Sequence, residues 1–122
     1  MKETIRIGNC SGFYGDRLAA AKEMVEGGPI DVLTGDYLAE LTMKILYDQR
    51  EQRGAHMGYV GTFLKQLEDV VELCTAKGIK IVTNAGGLNS AGMAVEVERI
   101  LQEKGVTAKV AYIDGDDLMP EL

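Results

Sequence analysis

The chain has 122 residues, of which 46% are hydrophobic and 26% charged, and its formal net charge is −6. This length allows one domain with a core of ordinary size. The acidic balance, without clustered Lys and Arg, argues against a nucleic-acid surface. No apolar run approaches the roughly 18 residues of a membrane span, and the amino-terminal stretch 1–7 lacks an apolar signal segment, so a cytoplasmic protein is expected.

The hydrophobic pattern predicts strands that alternate with helices along the chain. Short β-branched runs indicate strands at residues 4–8, 30–34, 79–82 and 108–113. Helical spacing of apolar residues follows each of the first three runs, and two helices separate the second strand from the third. We therefore expect an α/β fold in a single domain over residues 1–122. The expected architecture is a parallel four-stranded sheet with helices on both faces, a Rossmann-like or flavodoxin-like three-layer sandwich.

The stretch 47–61 between the two consecutive helices is polar and rich in glycine, and it contains the only histidine, His56. The pattern predicts a helix that frays into a mobile connection of the kind that forms lids or contact surfaces. Cys10 lies in the turn after the first strand, where partial exposure is expected. Without a nearby histidine partner it is a poor candidate for a nucleophile.

Polar side chains are concentrated after the carboxyl ends of the predicted strands, whereas the opposite turns carry ordinary helix-stop sequences. In parallel sheets, ligands bind beyond the carboxyl ends of the strands. The predicted ligand-binding residues there are Asn9, Ser11, Gly12, Asn84, Gly86, Gly87 and Asn89. A small anionic metabolite is the expected ligand.

The turn at residues 83–89 allows two interpretations. Two adjacent glycines before a helix can bring free N–H groups and the positive end of the helix dipole against a carboxylate, phosphate or enolate oxygen. Alternatively, Gly86 and Gly87 only form a tight turn, with Asn89 or Ser90 as the helix cap.

Carboxylates supply the candidate chemistry. Asp36 and Asp116 are the predicted catalytic residues, as acid, base or metal ligand, and Asp114 and Asp117 are the predicted ligands of a hard cation such as magnesium. Asp36 can instead cap the following helix, four residues before Glu40. The acidic stretch at 114–117 can likewise be a capped turn.

Several well-known signatures are absent from the sequence. Glycines at positions 8, 12 and 15 do not have the spacing of a dinucleotide-binding loop, and no zinc, P-loop or Ser–His–Asp pattern occurs. A lyase, hydratase or isomerase therefore fits better than a dehydrogenase.

Taken together, five sequence blocks resemble the acyclic terpene utilisation family, AtuA. They lie at residues 9–16, 27–31, 34–42, 83–89 and 115–118. The resemblance implies a bacterial-type cytoplasmic protein linked to catabolism of acyclic terpenes and related branched acyl compounds. Members of that family are usually several times longer, so the chain is expected to correspond to its amino-terminal portion.

A chain of that kind leaves an open sheet edge, which favours a homo-oligomer or association with the missing carboxyl-terminal segments. The expected activity is that of an enzyme, or part of one, acting on a carboxylate or acyl-thioester metabolite. The alternative is a non-catalytic ligand-binding module or a structural subunit of a larger complex.

Overall fold

The computed structural model describes residues 3–122. Met1 and Lys2, part of the amino-terminal stretch discussed above, lie outside the described residues. The elements in chain order are β1 (Ile7–Asn9), α1 (Ala20–Gly27), β2 (Val32–Gly35), α2 (Glu40–Arg53), α3 (Gly61–Lys77), β3 (Lys80–Thr83), α4 (Ser90–Lys104) and a 3-10 turn (Met119–Glu121). In this part of the chain, no helix is long and apolar enough to cross a membrane.

The strands form a parallel three-stranded sheet in the order β1-β2-β3. Gly8 is in register with Leu33, which is in register with Ile81. Because side chains alternate across a strand, these three residues share one face of the sheet. The α/β class and the parallel pairing are therefore confirmed, with three of the four predicted strands in the described residues.

The fourth predicted strand, residues 108–113, does not form. The segment is not assigned to any helix or strand, and among the described residues no backbone–backbone hydrogen bond involves residues 107–117. Its alternating pattern suits a strand, but a strand also needs a partner for its backbone and a cover for its apolar side chains. Of the apolar side chains in the segment 108–113, Val110 packs against the core, whereas Ile113 is 94% exposed.

The helices predicted on both faces are found on one. Helices α1 and α3 pack against the face that carries Leu33. On the opposite face Ile7 and Val82 are 65% and 59% exposed. Strands added in one direction through right-handed crossovers leave their helices on the same side, which accounts for the difference. The three-layer sandwich is thus not formed by the described residues. We call the uncovered side, which carries Ile7, Asn9, Thr34 and Val82, the open face.

Helix α3 joins the two clusters of the core. Toward the sheet, Val70 and Cys74 pack with Val25 and Leu33 in a cluster that also contains buried Cys10. The other side of α3 packs against α4 and contributes to a second cluster, which also includes side chains from α2 and from the turns after β2 and β3. The buried members of that second cluster are Tyr37, Leu46, Val60, Phe63, Leu67, Val71, Ala85, Ile100 and Leu101.

The helix ends agree with the sequence better than the helix starts. Gly78 and Gly105 end α3 and α4 in the left-handed conformation, as their Lys-Gly sequences predict. Asp36, in contrast, is not the cap that the sequence allows, and Asp16, an acid just before α1, is not a cap either. Helices α1 and α2 begin several residues later, at Ala20 and Glu40, and neither has a side-chain cap.

The predicted mobile connection is short and anchored. Helix α2 continues to Arg53, so only residues 54–60 join it to α3. The Val60 N–H donates to the Ala85 carbonyl at 2.8 Å, and the Leu88 N–H donates to the Gly58 carbonyl at 2.8 Å. The connection is therefore bonded to the turn between β3 and α4, where it supports that turn.

Candidate functional site

Asp36 and Asn84 meet at the carboxyl edge of the sheet. The Asn84 Nδ2 donates to Asp36 Oδ1 at 2.7 Å, while Asn84 Oδ1 accepts the Tyr37 N–H at 2.9 Å. One amide side chain thus joins the turns that follow β2 and β3. Asp36 and Asn84 are both exposed, so their remaining hydrogen-bonding groups are accessible to a ligand.

Two further polar side chains lie along the same edge. The Thr34 hydroxyl donates to Asn9 Oδ1 at 3.3 Å across the β1–β2 pair. The pairing continues past the strands, since the Asp36 N–H donates to the Ser11 carbonyl at 3.0 Å. By the alternation of extended backbone, Asp36 and Asn84 lie on the open face with Asn9 and Thr34. We call these four residues the polar rim.

Ser11 and Gly12, the other predicted ligand-binding residues after β1, maintain their own loop. Ser11 is 3% exposed and its hydroxyl donates to the Phe13 carbonyl at 2.8 Å. The Gly12 N–H donates to Asp16 Oδ2 at 2.8 Å. Backbone N–H groups of Gly12 and Arg17 hold the pKa of the Asp16 carboxyl below its usual value. The Ser11 side chain makes no hydrogen bond with the polar rim, and the Gly12 N–H is likewise bonded within the loop.

Beneath the rim lies a buried polar network that the sequence did not indicate. The Tyr37 hydroxyl donates to Gln66 Oε1, and Gln66 Nε2 donates to the Arg17 carbonyl at 3.3 Å. Both side chains are almost fully buried. Burial raises the pKa of the Tyr37 phenol and of the nearby Cys10 thiol. Cys10, expected to be partly exposed, is a buried thiol with little tendency to ionise.

The space around the rim is open rather than enclosed. A void of about 10 Å³ lies under it, lined by residues including Cys10, Tyr37 and Gln66, and such a volume suits a single water molecule. A wider groove of about 400 Å³ runs from Asn9 along α1, past Met24 and Ile30. Its volume lies within the range of small-molecule sites, about 300–1,000 Å³.

The glycine-rich turn after β3 is engaged mainly in internal contacts. The backbone N–H groups of Ala85, Gly87, Leu88 and Asn89 all donate within the protein, whereas that of Gly86 makes no hydrogen bond with another described residue. Gly87 has φ +55°, and a Cβ there would lie 2.5 Å from Leu46 Cδ1. The tight-turn interpretation accounts for this geometry, and a ligand role for Gly86 and Gly87 stays a prediction.

Asn89 fixes the start of α4. Its Oδ1 accepts the Gly92 N–H at 3.0 Å, so it is the helix cap that the sequence suggested. Its Nδ2 lies within hydrogen-bond distance of three carbonyls of the preceding connection, the nearest being Met57 at 3.1 Å. These contacts occupy the side chain of Asn89, and a ligand role for it stays a prediction.

The three aspartates near the carboxyl terminus are not gathered into one cluster. Asp117 forms an ion pair with Arg50 at 2.6 Å, and this contact lowers the pKa of its carboxyl. Asp114 and Asp116 are exposed and make no hydrogen bond or ion pair with other described residues. Within residues 3–122, no group of three or more His, Cys, Asp or Glu side chains is placed to hold a metal ion.

The fold and the polar rim define an α/β protein with a candidate ligand site at the carboxyl edge of a parallel sheet. Residues 5–122 match the model of the acyclic terpene utilisation family protein AtuA, and the chain belongs to that family. Its membership suggests involvement in acyclic terpene utilisation. No curated protein and no solved structure matches the chain.

Proposed function

We propose that the polar rim binds the carboxylate or acyl-thioester end of a branched acyl metabolite in acyclic terpene utilisation. The observation that carries the proposal is the 2.7 Å hydrogen bond between Asn84 Nδ2 and Asp36 Oδ1. This bond holds two exposed, chemically complementary groups side by side where neighbouring parallel strands end.

The rim offers both donors and an acceptor to such a ligand. Because Asn9 Oδ1 and Asn84 Oδ1 each accept a hydrogen bond within the protein, the two amide groups present N–H donors outward. The second N–H of Asn84 and both of Asn9 are suited to a carboxylate or a thioester carbonyl oxygen. Asp36 retains one carboxylate oxygen, Oδ2, that no described residue engages.

The groove beside α1 supplies room for an acyclic hydrocarbon chain. It begins at Asn9, a member of the rim, and its wall includes the apolar side chains of Ala20, Met24 and Ile30. A ligand whose polar end contacts Asn9 can therefore extend its apolar part around the outer edge of β1 onto these residues, where removal from water stabilises the complex.

In this proposal Asp36 is the general base of a lyase- or hydratase-type reaction. Its free oxygen takes a proton from the carbon next to the acyl carbonyl, while Asn84 donates to the carbonyl oxygen as negative charge develops there. Asp116 as a second catalytic group, and magnesium at Asp114 and Asp117, remain predictions. Binding of a cation by Asp117 would have to displace Arg50.

Nuclear magnetic resonance of side-chain amides tests ligand binding directly. Titration with a branched-chain acyl-CoA and with the matching free carboxylate should shift the Asn9 and Asn84 side-chain signals. Asn84→Ala should weaken binding about tenfold or more, because one or two hydrogen bonds to the ligand are lost. Gln102→Ala is the matched control, because Gln102 carries an exposed side-chain amide on α4. If the ligands shift only signals remote from the rim, the binding proposal is wrong.

Turnover distinguishes catalysis from binding. Asp36→Asn preserves the size of the side chain but cannot accept a proton as a base, so it should retain ligand binding and lose activity. Asp69→Asn serves as the control, because Asp69 is an exposed carboxylate on α3 without a partner among the described residues. Equal activity of the two variants would refute the role of Asp36.

The open face supports a second candidate function, a non-catalytic subunit of a larger complex. Parallel sheets are normally covered on both faces, yet Ile7 and Val82 are more than half exposed here. A subunit role predicts a partner that protects these side chains from solvent. Ligand-dependent shifts at the rim together with turnover would favour the enzyme, whereas neither would be expected for a purely structural subunit.

A further inference from the structure

In the second half of the chain, two stretches have unpaired backbone groups of the kind that build sheets, and the outer edge of β1 is a third such stretch in the first half. The first is the outer edge of β3, since β3 pairs only with β2 among the described strands. The Lys80 N–H donates to the Asp31 carbonyl on the β2 side. By alternation, the N–H and C=O groups of Ile81 and Thr83 point away from β2. Such a row of groups is a template for another strand.

The second stretch is the segment 108–113. It is not assigned to any helix or strand and makes no backbone–backbone hydrogen bond with other described residues. Its sequence, Ala-Lys-Val-Ala-Tyr-Ile, has the β-branched and aromatic content of a strand. Tyr112 is 54% exposed and Ile113 is 94% exposed, so the segment presents apolar side chains as well as backbone groups to the solvent.

Contacts at both ends fix the segment in place. Before it, the Val106 N–H donates to the Leu101 carbonyl at 2.9 Å. After it, Asp117 is paired with Arg50 at 2.6 Å. A segment held in this way loses less conformational entropy on binding than a free tail. In its own chain it does not pair with β3, so the edge available to it is that of another molecule.

We propose that the segment 108–113 of one copy of this chain adds as a strand to the outer edge of β3 in a second copy. The main-chain groups of Ile81 and Thr83 then find partners, as in other complexes formed by strand addition. Ile113 comes to lie beside Val82 of the other copy, which removes two strongly exposed apolar side chains from water. A reciprocal exchange produces a closed dimer.

Sedimentation velocity over a wide range of protein concentrations tests the proposal. The unmodified chain should form a dimer. Ile113→Lys and Val82→Lys, each of which introduces a charge into the new contact, should both give monomers. Leu122→Lys is the matched control, because Leu122 is as exposed as Ile113, at 94%, but lies outside the segment. Circular dichroism should show the same helical content in all four proteins, because the new contact changes only strand pairing.

Disulfide trapping tests the pairing itself. A mixture of Ile113→Cys chains and Val82→Cys chains should give dimers linked between unlike chains, whereas Leu122→Cys with Val82→Cys should not. The native Cys10 and Cys74 are both buried and do not interfere. A wild-type monomer at all concentrations, equal loss of the dimer in Leu122→Lys, or efficient linkage of Val82→Cys chains to each other would each overturn the proposal. The readout is mass, so it is independent of any ligand at the polar rim.

Discussion

Arg50 and Asp117, 67 residues apart in sequence, form an ion pair in which Arg50 Nη1 lies 2.6 Å from Asp117 Oδ2. A second contact, from Nη2 to Oδ1, measures 3.4 Å. The two side chains are only 16% and 23% exposed. The pair fastens the carboxyl-terminal segment to the last turns of α2, and it does so without any regular secondary structure between residues 105 and 118.

Loss of this pair should destabilise the protein. Asp117→Asn leaves the Arg50 guanidinium partly buried without its counter-ion, and we expect a decrease of about 1 kcal/mol in the free energy of unfolding. Urea unfolding followed by circular dichroism measures it. Asp116→Asn removes the same charge from an exposed neighbour without a described partner. An equal effect of both substitutions would show that overall charge, and not the pair, is responsible.

The same pair should make stability depend on acid. Arg50 lowers the pKa of Asp117 in the folded protein. The pair therefore contributes fully to the free energy of unfolding above the unfolded-state pKa of about 3.9. This contribution is lost as the pH falls through the lower, folded-state value. The stability difference between wild type and Asp117→Asn should therefore be full at pH 7 and shrink below about pH 4. A difference that is the same at pH 7 and at pH 3 would contradict this.

Gly87 should tolerate alanine less well than Gly105. Both have left-handed backbone, with φ +55° and +65°, so each substitution carries the cost of that conformation, about 1–2 kcal/mol. At Gly87 the new Cβ also meets Leu46 Cδ1 at 2.5 Å and the Gly58 carbonyl oxygen at 2.8 Å, whereas at Gly105 nothing lies within 4 Å. We expect Gly87→Ala to be more destabilising by about 1–3 kcal/mol. Thermal unfolding of the two variants measures this difference in stability, and equal losses would contradict the prediction.

Asn89 should contribute to the stability of the fold through both its amide oxygen and its amide nitrogen. Asn89→Ala removes the cap of α4 and the contacts with the connection 54–60, for a cost of about 1–2 kcal/mol. Asn89→Asp keeps the acceptor for the Gly92 N–H but loses the donor to the carbonyls. Hydrogen exchange should then be faster at residues 55–58 in both variants, and at the start of α4 only in Asn89→Ala. Unchanged exchange at 55–58 in Asn89→Asp would count against the donor role.

Removal of the Tyr37 hydroxyl should leave a buried acceptor without its donor. Tyr37→Phe deprives Gln66 Oε1 of its partner, and an unsatisfied buried polar group costs about 1–3 kcal/mol. Tyr47→Phe, at a half-buried tyrosine on α2 whose hydroxyl makes no hydrogen bond with a described residue, should change stability little. Chemical denaturation of both variants provides the comparison. A double variant, Tyr37→Phe with Gln66→Leu, should recover part of the loss, since both polar groups are then absent.

The helices that pack in the core were predictable because their apolar spacing is periodic. Phe63, Leu67 and Val71 lie on one side of α3 at intervals of four residues, and all are buried. The Lys-Gly pairs that end α3 and α4 were equally informative. Of the site, the approach of Asp36 to Asn84 followed from parallel pairing, since the turns after neighbouring strands must lie close together.

The remaining differences arise from contacts that one stretch of sequence does not reveal. The pattern at 108–113 suits a strand, but whether a strand forms depends on a neighbour and a cover. The stretch 47–61 is polar and rich in glycine, yet the backbone of its last part, the connection 54–60, is bonded to the turn after β3. Asp117 was expected as a metal ligand, and only the fold brings Arg50 beside it. Gln66 lies among apolar residues of α3, where no sequence signal marks it as a partner of Tyr37.

The position of α3 between two clusters has a consequence for synthesis of the chain. Each strand pairs with the next one in sequence, so β1, α1 and β2 could in principle associate while the nascent polypeptide is still leaving the ribosome. Yet Val25 and Leu33 are buried against Val70 and Cys74 of α3, and without them that first unit would expose much of its apolar surface. The emerging chain should therefore stay unfolded, and open to chaperones, until the residues of α3 have been translated.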